Sequence, residues 1–211
     1  MKFDRVQVYN FVGALRGMRN PLESWDRSDS YEIEGKIHIG ENDLKLARKL
    51  IAGGTEHRKF LRQIVVSVDV TAPLFWWKEF DTYKIGTTAN STSTMHKLAS
   101  TPITLDCFEI GDYHETLDGK ECYQLSPKVN EFIKTLEELR LLYLETKDKN
   151  YWKELIRWLP ESWLQTRTLT MNYENIYAMY KQRKNHKLKE WSTDFINWVE
   201  ELPYFKELFT E

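Results

Sequence analysis

The sequence predicts a single α+β domain that spans residues 1–211. Strand-like alternation of apolar and polar residues is confined to the part before residue 126, and helical spacing of apolar residues dominates the part after it. No internal repeat or low-complexity linker divides the chain. A length of 211 residues, of which 41% are hydrophobic, suits one compact domain.

Five segments have the composition and alternation of strands. They are residues 3–12, 31–39, 64–70, 105–110 and 121–125. In the third segment, Ile64, Val66, Val68 and Val70 fall on one face, which predicts a strand with a buried side. The last two segments flank Asp118-Gly119, a strong signal for a hairpin turn.

Helical spacing predicts a first helix over residues 41–52, with Asn42 or Asp43 as its cap and Gly53-Gly54 at its end. A short helix through His57 follows, and another begins at Pro73. The later helices are predicted from Ser126-Pro127 onward and over residues 151–159, 171–183 and 188–202. Residues 17–30 are predicted only as a short helix or a loop.

Residues 75–96, FWWKEFDTYKIGTTANSTSTMH, have the most distinctive composition in the chain. Bulky aromatic residues, which fit either a core or an interface, lead to Gly86, after which seven of the eight residues 87–94 are Thr, Ser or Asn. Such a run offers hydroxyl, amide and backbone N–H groups to a phosphate or to the edge of a flavin. A solvated loop of turn-favouring residues has the same composition, so both interpretations stay open.

Composition argues against several classes of protein. The net charge of −2 lacks the basic footprint of a nucleic-acid-binding protein, and no apolar run approaches the length that crosses a membrane. The first residues lack a secretory signal, so a cytoplasmic location is expected. Cys107 and Cys122, even with His114, lack the paired spacing of a zinc site, so no metal is expected.

Four segments match, in order and spacing, the motifs of a known enzyme family. The matching residues are His57 and Leu61 after the glycines, Thr88, Asn90 and Ser93 in the hydroxyl-rich run, Asn172, and Arg183. The central family motif is Arg-His-Arg-x-x-Ser-x-Asn-x-x-Ser-x-Arg-Tyr. On these residues the chain resembles a divergent member of the flavin-dependent thymidylate synthases, also called thymidylate synthase complementing proteins, over most of its length.

The resemblance implies a central, mostly antiparallel sheet flanked by long helices, and a homotetramer with ligand sites between subunits. It implies FAD as cofactor, with NADPH and methylenetetrahydrofolate as further candidates, and a pyrimidine nucleotide as partner. The implied reaction is the reductive methylation of dUMP to dTMP, and no catalytic residue can be assigned. The implied cofactor-binding residues are His57, Lys84, Thr88, Asn90, Asn172 and Arg183, and the implied substrate-binding residues are Ser91 and Ser93.

Met95, Glu174 and Ser192 stand where the family has arginines that neutralise the nucleotide phosphate and polarise the uracil carbonyls. Replacing attraction by repulsion at about 4 Å changes the interaction by roughly 8 kcal/mol at a protein-like dielectric. Glu174 would therefore repel a phosphate unless a nearby cation compensates, for which the candidates are Lys84, Arg167 and Lys187.

These departures leave two functions open. The chain is either a flavin-dependent methyltransferase of the thymidylate synthase type, or a non-catalytic relative that serves as an oligomeric scaffold or binds a partner or another nucleotide. Three matching residues also have plain structural explanations. Arg183 could form an ion pair at a surface or interface, His57 could be a surface residue near a helix end, and Asn172 could cap its helix.

Overall fold

The computed structural model describes residues 1–111, 114–117, 120–123 and 126–209, with side chains described outside residues 112–125. The chain forms two compact units. Unit one comprises Met1–Lys2, Thr71–Asp81 and Asn90–Arg167, and unit two comprises Phe3–Val70, Thr82–Ala89 and Thr168–Glu211. The assignment of residues 1–211 to one domain stays a prediction.

Among the described residues, the strands form one four-stranded sheet and two sheets of two strands each. In spatial order the four-stranded sheet contains β1 (Lys2–Tyr9), β4 (Val65–Pro73), β8 (Leu164–Asn172) and β5 (Thr88–Ser91). The two-stranded antiparallel sheets are β2 (Tyr31–Ile33) with β3 (Lys36–His38), and β6 (His114–Leu117) with β7 (Lys120–Tyr123). This confirms the predicted α+β class with mostly antiparallel strands.

The α-helices after residue 126 contain more residues than those before it. They are α1 (Phe11–Gly17), α2 (Glu41–Ala52), α3 (Leu74–Phe80), α4 (Thr94–Lys97), α5 (Pro127–Thr146), α6 (Lys149–Arg157), α7 (Tyr173–Arg183), α8 (Ile196–Glu200) and α9 (Phe205–Phe209). A π-helical segment, Glu190–Phe195, precedes α8. Among the described residues, no helix has both the length and the apolar character needed to cross a membrane.

The predicted buried face of β4 is confirmed. Val66, Val68 and Val70 are at most 1% exposed, and Ile64, just before the strand, is fully buried. Burying each such side chain contributes about 1.5–3 kcal/mol, so this face is a main element of the core of unit two. The carbonyl of Ile64 also accepts a hydrogen bond from the backbone N–H of Tyr173, which ties β4 to the start of α7.

Three of the four aromatic residues of α3, for which the sequence left a core or an interface open, are buried, and the fourth, Phe75, is half-buried. Trp76, Trp77 and Phe80 are at most 2% exposed and their rings contact one another. Trp77 also donates a hydrogen bond from Nε1 to the carbonyl of Gln165 at 2.9 Å. The rings of α3 therefore fix this helix beside the start of β8.

The prediction of one continuous strand over residues 31–39 is wrong. Glu34 and Gly35 both have positive φ, 51° and 74°, and turn the chain back between β2 and β3. Positive φ at two successive residues is the geometry of a tight two-residue hairpin turn. The alternating pattern was correct on both sides of the turn, but it did not reveal the reversal.

The strand predicted over residues 105–110 is also wrong, because Leu105–Cys107 forms a 3-10 turn. The predicted second strand of this pair corresponds to β7, whose partner is β6, with Leu117 opposite Lys120. Residues 118–119 and 124–125 lie outside the described residues, so the Asp118-Gly119 turn stays a prediction.

The predicted bounds of α2, residues 41–52, and its end at the glycines are confirmed, but the predicted capping residue is not. Gly54 has φ of 98° and supplies the left-handed residue after the helix. At the other end, the carboxylate of Asp29 accepts hydrogen bonds from the N–H groups of Asn42 and Asp43 at 2.9 and 3.0 Å. Asp29, which precedes the helix by twelve positions, therefore caps α2 in place of Asn42 or Asp43.

Candidate functional site

The segment 82–89 is held against α7 in unit two by side chains near both ends of the helix. Near the start of α7, Nδ2 of Asn175 donates a hydrogen bond to the carbonyl of Ile85 at 2.8 Å. Near its end, the hydroxyl of Tyr83 donates to Oε1 of Gln182 at 2.9 Å and accepts from Nε of Arg183 at 2.8 Å. These contacts fix the backbone on which Lys84 and Thr88 stand, and both of these side chains are exposed.

Gly86 lies close to the start of α7. Its φ is 74°, and a Cβ at this position would lie 2.9 Å from Oδ1 of Asn175 and 3.2 Å from Nδ2 of Asn172. Glycine is required here because the positive φ disfavours other residues and because the side chains of Asn172 and Asn175 leave no space for a Cβ.

Replacing Gly86 with alanine is expected to lower the free energy of unfolding by about 1–2 kcal/mol, since it adds strain and displaces Asn175. Urea denaturation measures this effect. The matched control is Gly35→Ala, where φ is also 74° but no atom lies within 4 Å of the added Cβ. Equal losses in the two variants would show that the contact with α7 contributes nothing beyond backbone conformation.

Asn172 caps α7. Its Oδ1 accepts a hydrogen bond from the N–H of Asn175 at 3.0 Å, and Oδ1 of Asn175 accepts from the N–H of Asn172 at 3.3 Å. This reciprocal capping box confirms the structural explanation for Asn172. Among the described residues, Nδ2 of Asn172 has no hydrogen-bond partner, so it remains able to donate to a ligand.

Arg183 lies among aromatic rings. Its guanidinium carbon is 4.4 Å from the ring centroid of Trp191 and 5.4 Å from that of Tyr83. Trp191 belongs to the π-helical segment Glu190–Phe195, an irregular form that often occurs at functional sites. Cation–π contacts and the hydrogen bond to Tyr83 therefore position Arg183 at the end of α7.

Glu174 is neutralised by Arg58. Nε and Nη2 of Arg58 donate to the two carboxylate oxygens at 2.8 Å each, and the side chains are 12% and 14% exposed. The hydrogen bond to Glu174 raises the pKa of the Arg58 guanidinium. Arg58 therefore supplies the compensating charge, in place of the predicted candidates Lys84, Arg167 and Lys187.

Arg167 is committed to contacts within unit one. It donates to Oδ1 of Asp81 at 2.7 Å and to Oε1 of Gln165 at 2.9 Å, and it stacks 4.2 Å from the ring centroid of Trp77. Gln165 in turn donates from Nε2 to the carbonyl of Thr92 at 2.9 Å. These contacts anchor the hydroxyl-rich run to the start of β8.

The hydroxyl-rich run contains a strand and the start of a helix, which corrects its interpretation as a loop. Asn90 and Ser91 lie exposed at the end of β5. Ser93 caps α4, because its Oγ accepts a hydrogen bond from the N–H of His96 at 3.2 Å. Ser93 therefore has a structural role, while Asn90 and Ser91 present their side chains to solvent.

The structure brings four of the proposed ligand residues to one element of unit two. Asn172 and Arg183 lie at the two ends of α7, and Lys84 and Thr88 lie on the segment held against it. His57 is exposed in the turn after α2, next to Arg58. Arg58 was not predicted as a site residue, because its partner Glu174 lies 116 positions away in the sequence. Neither residue matches one that the family motif specifies, so the motif gave no indication of the pair.

The chain has the fold of the flavin-dependent thymidylate synthases. It is similar to a structure of the flavin-dependent thymidylate synthase ThyX from Helicobacter pylori complexed with FAD and dUMP, with a TM-score of 0.69 at 19% sequence identity. A second structure of Helicobacter pylori thymidylate synthase X, also with FAD and dUMP, gives a TM-score of 0.67 at 18% identity.

Both similarities cover 100% of this chain and 98% of the other chain. No protein-family model matches the sequence, and no curated protein matches it. The resemblance stated from the motifs is therefore confirmed for the fold.

Proposed function

We propose that the chain binds a flavin and a pyrimidine nucleotide as a divergent relative of the flavin-dependent thymidylate synthases. The observation that carries the proposal is the fold similarity over the full chain to proteins that bind FAD and dUMP. The order of the motif residues along the sequence supports it independently of the fold. Fold similarity alone does not assign a function, so the side chains must also suit the ligands.

The side chains of unit two fit the hydrogen-bonding needs of a flavin nucleotide. Lys84 is an exposed cation on a fixed backbone, Thr88 offers a hydroxyl, and Asn172 retains an amide donor. Arg183 supplies a second, positioned cation. We assign the cofactor to these residues with His57 and Asn90, and the nucleotide substrate to Ser91 and Ser93.

The pair of Arg58 and Glu174 removes a main objection to a phosphate near α7. A bare carboxylate would repel an anion by about 4 kcal/mol at 4 Å and a protein-like dielectric, whereas a bidentate ion pair has no net charge. The pair does not replace the cation that the family has at this position. Binding of a cofactor phosphate near α7 therefore depends on Lys84 and on hydrogen bonds more than on bidentate contacts from an arginine.

A bound flavin supplies hydride transfer, and the protein supplies binding and orientation. If the family reaction operates, it is a flavin-dependent methyl transfer to the uracil ring, with NADPH as reductant and methylenetetrahydrofolate as carbon donor. A homotetramer in the cytoplasm is part of the same proposal.

The second candidate is a non-catalytic relative that binds a different nucleotide or serves as an oligomeric scaffold. It is favoured by the structural use of Ser93 and Asn172 as helix caps. The exposed Met95 and the Ser192 hydroxyl, which bonds the carbonyl of Leu188, favour it too because neither supplies the arginine charge of the family.

Replacing Lys84 with alanine is expected to weaken FAD binding about tenfold, since it removes a charge-assisted hydrogen bond to a phosphate. Quenching of flavin fluorescence during titration measures the affinity. Lys36→Ala on the β3 strand is the matched control, because Lys36 is also exposed and carries the same charge.

Saturable binding that is weaker in Lys84→Ala than in Lys36→Ala supports the site on segment 82–89. Binding that is equal in both variants assigns the flavin elsewhere and contradicts the role of Lys84. Flavin binding without dUMP-stimulated NADPH oxidation favours the non-catalytic candidate.

A further inference from the structure

A large cleft beside α2 in unit two lies outside the residues assigned above, except for His57. Its volume is about 830 Å³, and its walls come from residues 17–27, from α2 and from residues 56–63. This volume falls within the range of roughly 300–1,000 Å³ that is typical of small-molecule sites. All of its walls belong to the same compact unit.

The cleft has a strongly cationic lining. Arg27, Lys45, Lys49 and Lys59 line it, against a single acidic lining residue, Glu56. Within the described part of the chain, the side chains of these four cations form no ion pair or hydrogen bond. Unneutralised charge of one sign along a cleft concentrates counter-ions there, so the cleft favours an anionic ligand.

Arg19 provides an independent indication of a ligand. It lines the cleft, is 4% exposed, and donates from Nε to Oδ1 of Asp43 at 2.6 Å and from Nη1 to the carbonyl of Ser24 at 3.5 Å. Its Nη2 is buried and has no hydrogen-bond partner among the described residues. A buried N–H group without an acceptor is unfavourable, and an anion in the cleft would supply the acceptor after a small side-chain adjustment.

Apolar residues line the same cleft. Met18, Leu46, Leu50 and Phe60 are among them, and they offer a surface for a ring or a hydrocarbon chain. A site that combines apolar walls with a few convergent polar groups is typical of an organic ligand and differs from a simple ion site.

We propose that the α2 cleft binds an organic polyanion, whose phosphoryl or carboxylate oxygens contact Lys45, Lys49 and Arg19 and whose apolar part packs against Leu46 and Phe60. The proposal does not depend on flavin or pyrimidine binding. It assigns a role to a cluster of unpaired cations and to a buried donor that the fold alone does not require.

Isothermal titration calorimetry at low salt tests the proposal with two probes, inorganic pyrophosphate and the peptide triglutamate. The variant Lys45→Ala/Lys49→Ala removes two exposed cations that lie four residues apart on α2. It is expected to weaken binding of the preferred probe by at least about tenfold. The matched control is Lys149→Ala/Lys153→Ala on α6, which removes two exposed cations at the same spacing and should change affinity by less than about twofold.

Tighter binding of pyrophosphate identifies a phosphoryl ligand, and tighter binding of triglutamate identifies a carboxylate ligand. Both results support the cleft if they depend on Lys45 and Lys49. Absence of binding for both probes up to about 10 mM, or equal binding in the α2 and α6 variants, overturns the proposal. Circular dichroism verifies folding, and if the double variant is unfolded, Arg27→Ala is measured in its place. Neither probe contains a flavin or a pyrimidine, so failure here is distinct from failure of the proposed function.

Discussion

Replacing Asp43 with asparagine is expected to lower the free energy of unfolding by about 3–5 kcal/mol, because it breaks a buried ion pair and its hydrogen-bond network. Asp43 is fully buried at the start of α2. Its carboxylate accepts hydrogen bonds from Nε of Arg19 at 2.6 Å, from Oγ of Ser28 at 3.1 Å, and from the N–H groups of Asp29 and Ser30 at 3.1 and 3.0 Å. An amide has one oxygen in place of two and no charge, so Arg19 would remain buried and unpaired.

The same residue makes stability depend on pH. Burial alone raises the pKa of Asp43, but hydrogen bonds from Ser30, Arg19 and Asp29 outweigh burial and hold the pKa below its ordinary value. The unfolded chain binds a proton at about pH 3.9, so the contribution of ionised Asp43 is complete above that pH and is lost as the pH falls through the lower folded pKa.

Urea denaturation between neutral and acidic pH measures both effects. Asp26→Asn is the control, because Asp26 is exposed in the same segment and carries the same charge. The wild-type protein and Asp26→Asn should lose stability on acidification more steeply than Asp43→Asn does. A loss below about 1 kcal/mol in Asp43→Asn at neutral pH would contradict a central role for this network.

Breaking the pair of Arg58 and Glu174 is expected to lower the free energy of unfolding by about 2–3 kcal/mol in either Arg58→Met or Glu174→Gln. The value lies below that for Asp43 because both side chains keep 12–14% of their exposure to water. Arg58 also stacks 5.3 Å from the ring centroid of Tyr177, so Arg58→Met loses this contact as well.

The two single substitutions should change anion affinity in opposite directions. Arg58→Met leaves a bare carboxylate at the start of α7 and should weaken dUMP binding, whereas Glu174→Gln leaves a bare guanidinium and should strengthen it. Each change is expected to be at least about tenfold, because about 1.4 kcal/mol suffices for a factor of ten and a bare charge at 4 Å contributes up to about 4 kcal/mol. Calorimetric titration with dUMP measures both, and the double variant Arg58→Met/Glu174→Gln should return close to wild-type affinity. Changes of the same sign in the two single variants would place the nucleotide away from this pair.

The predictable parts of the fold are those in which a single local pattern determines the structure. The period-two alternation from Ile64 to Val70 identified β4 and its buried face, because one side of that strand is wholly apolar. The hairpin at Glu34 and Gly35 was missed because the alternation continues in phase through the turn. The strand β8 was missed because its more buried face carries the polar residues Gln165 and Arg167 before Leu169 and Met171, so apolar residues do not alternate along the whole strand.

The candidate site was predictable only where residues keep the spacing of a motif. Lys84, Thr88, Asn172 and Arg183 were found in that way, and the structure brings them to α7 and the segment held against it. The pairing of Arg58 with Glu174 could not be found, because it depends on a tertiary contact between residues 116 positions apart. The spacing of a motif identifies candidate side chains. The net charge of a site depends in addition on which side chains form ion pairs in the folded chain.

The most direct test of the proposed function is the visible absorbance spectrum of FAD added to the purified wild-type protein, recorded before and after addition of dUMP. The proposal predicts that the flavin band is perturbed on binding, since transfer from water to a protein site changes the surroundings of the ring. It further predicts a second, saturable change when dUMP is added. A spectrum that remains the sum of the protein and free FAD, with and without dUMP, would contradict flavin and nucleotide binding by this chain.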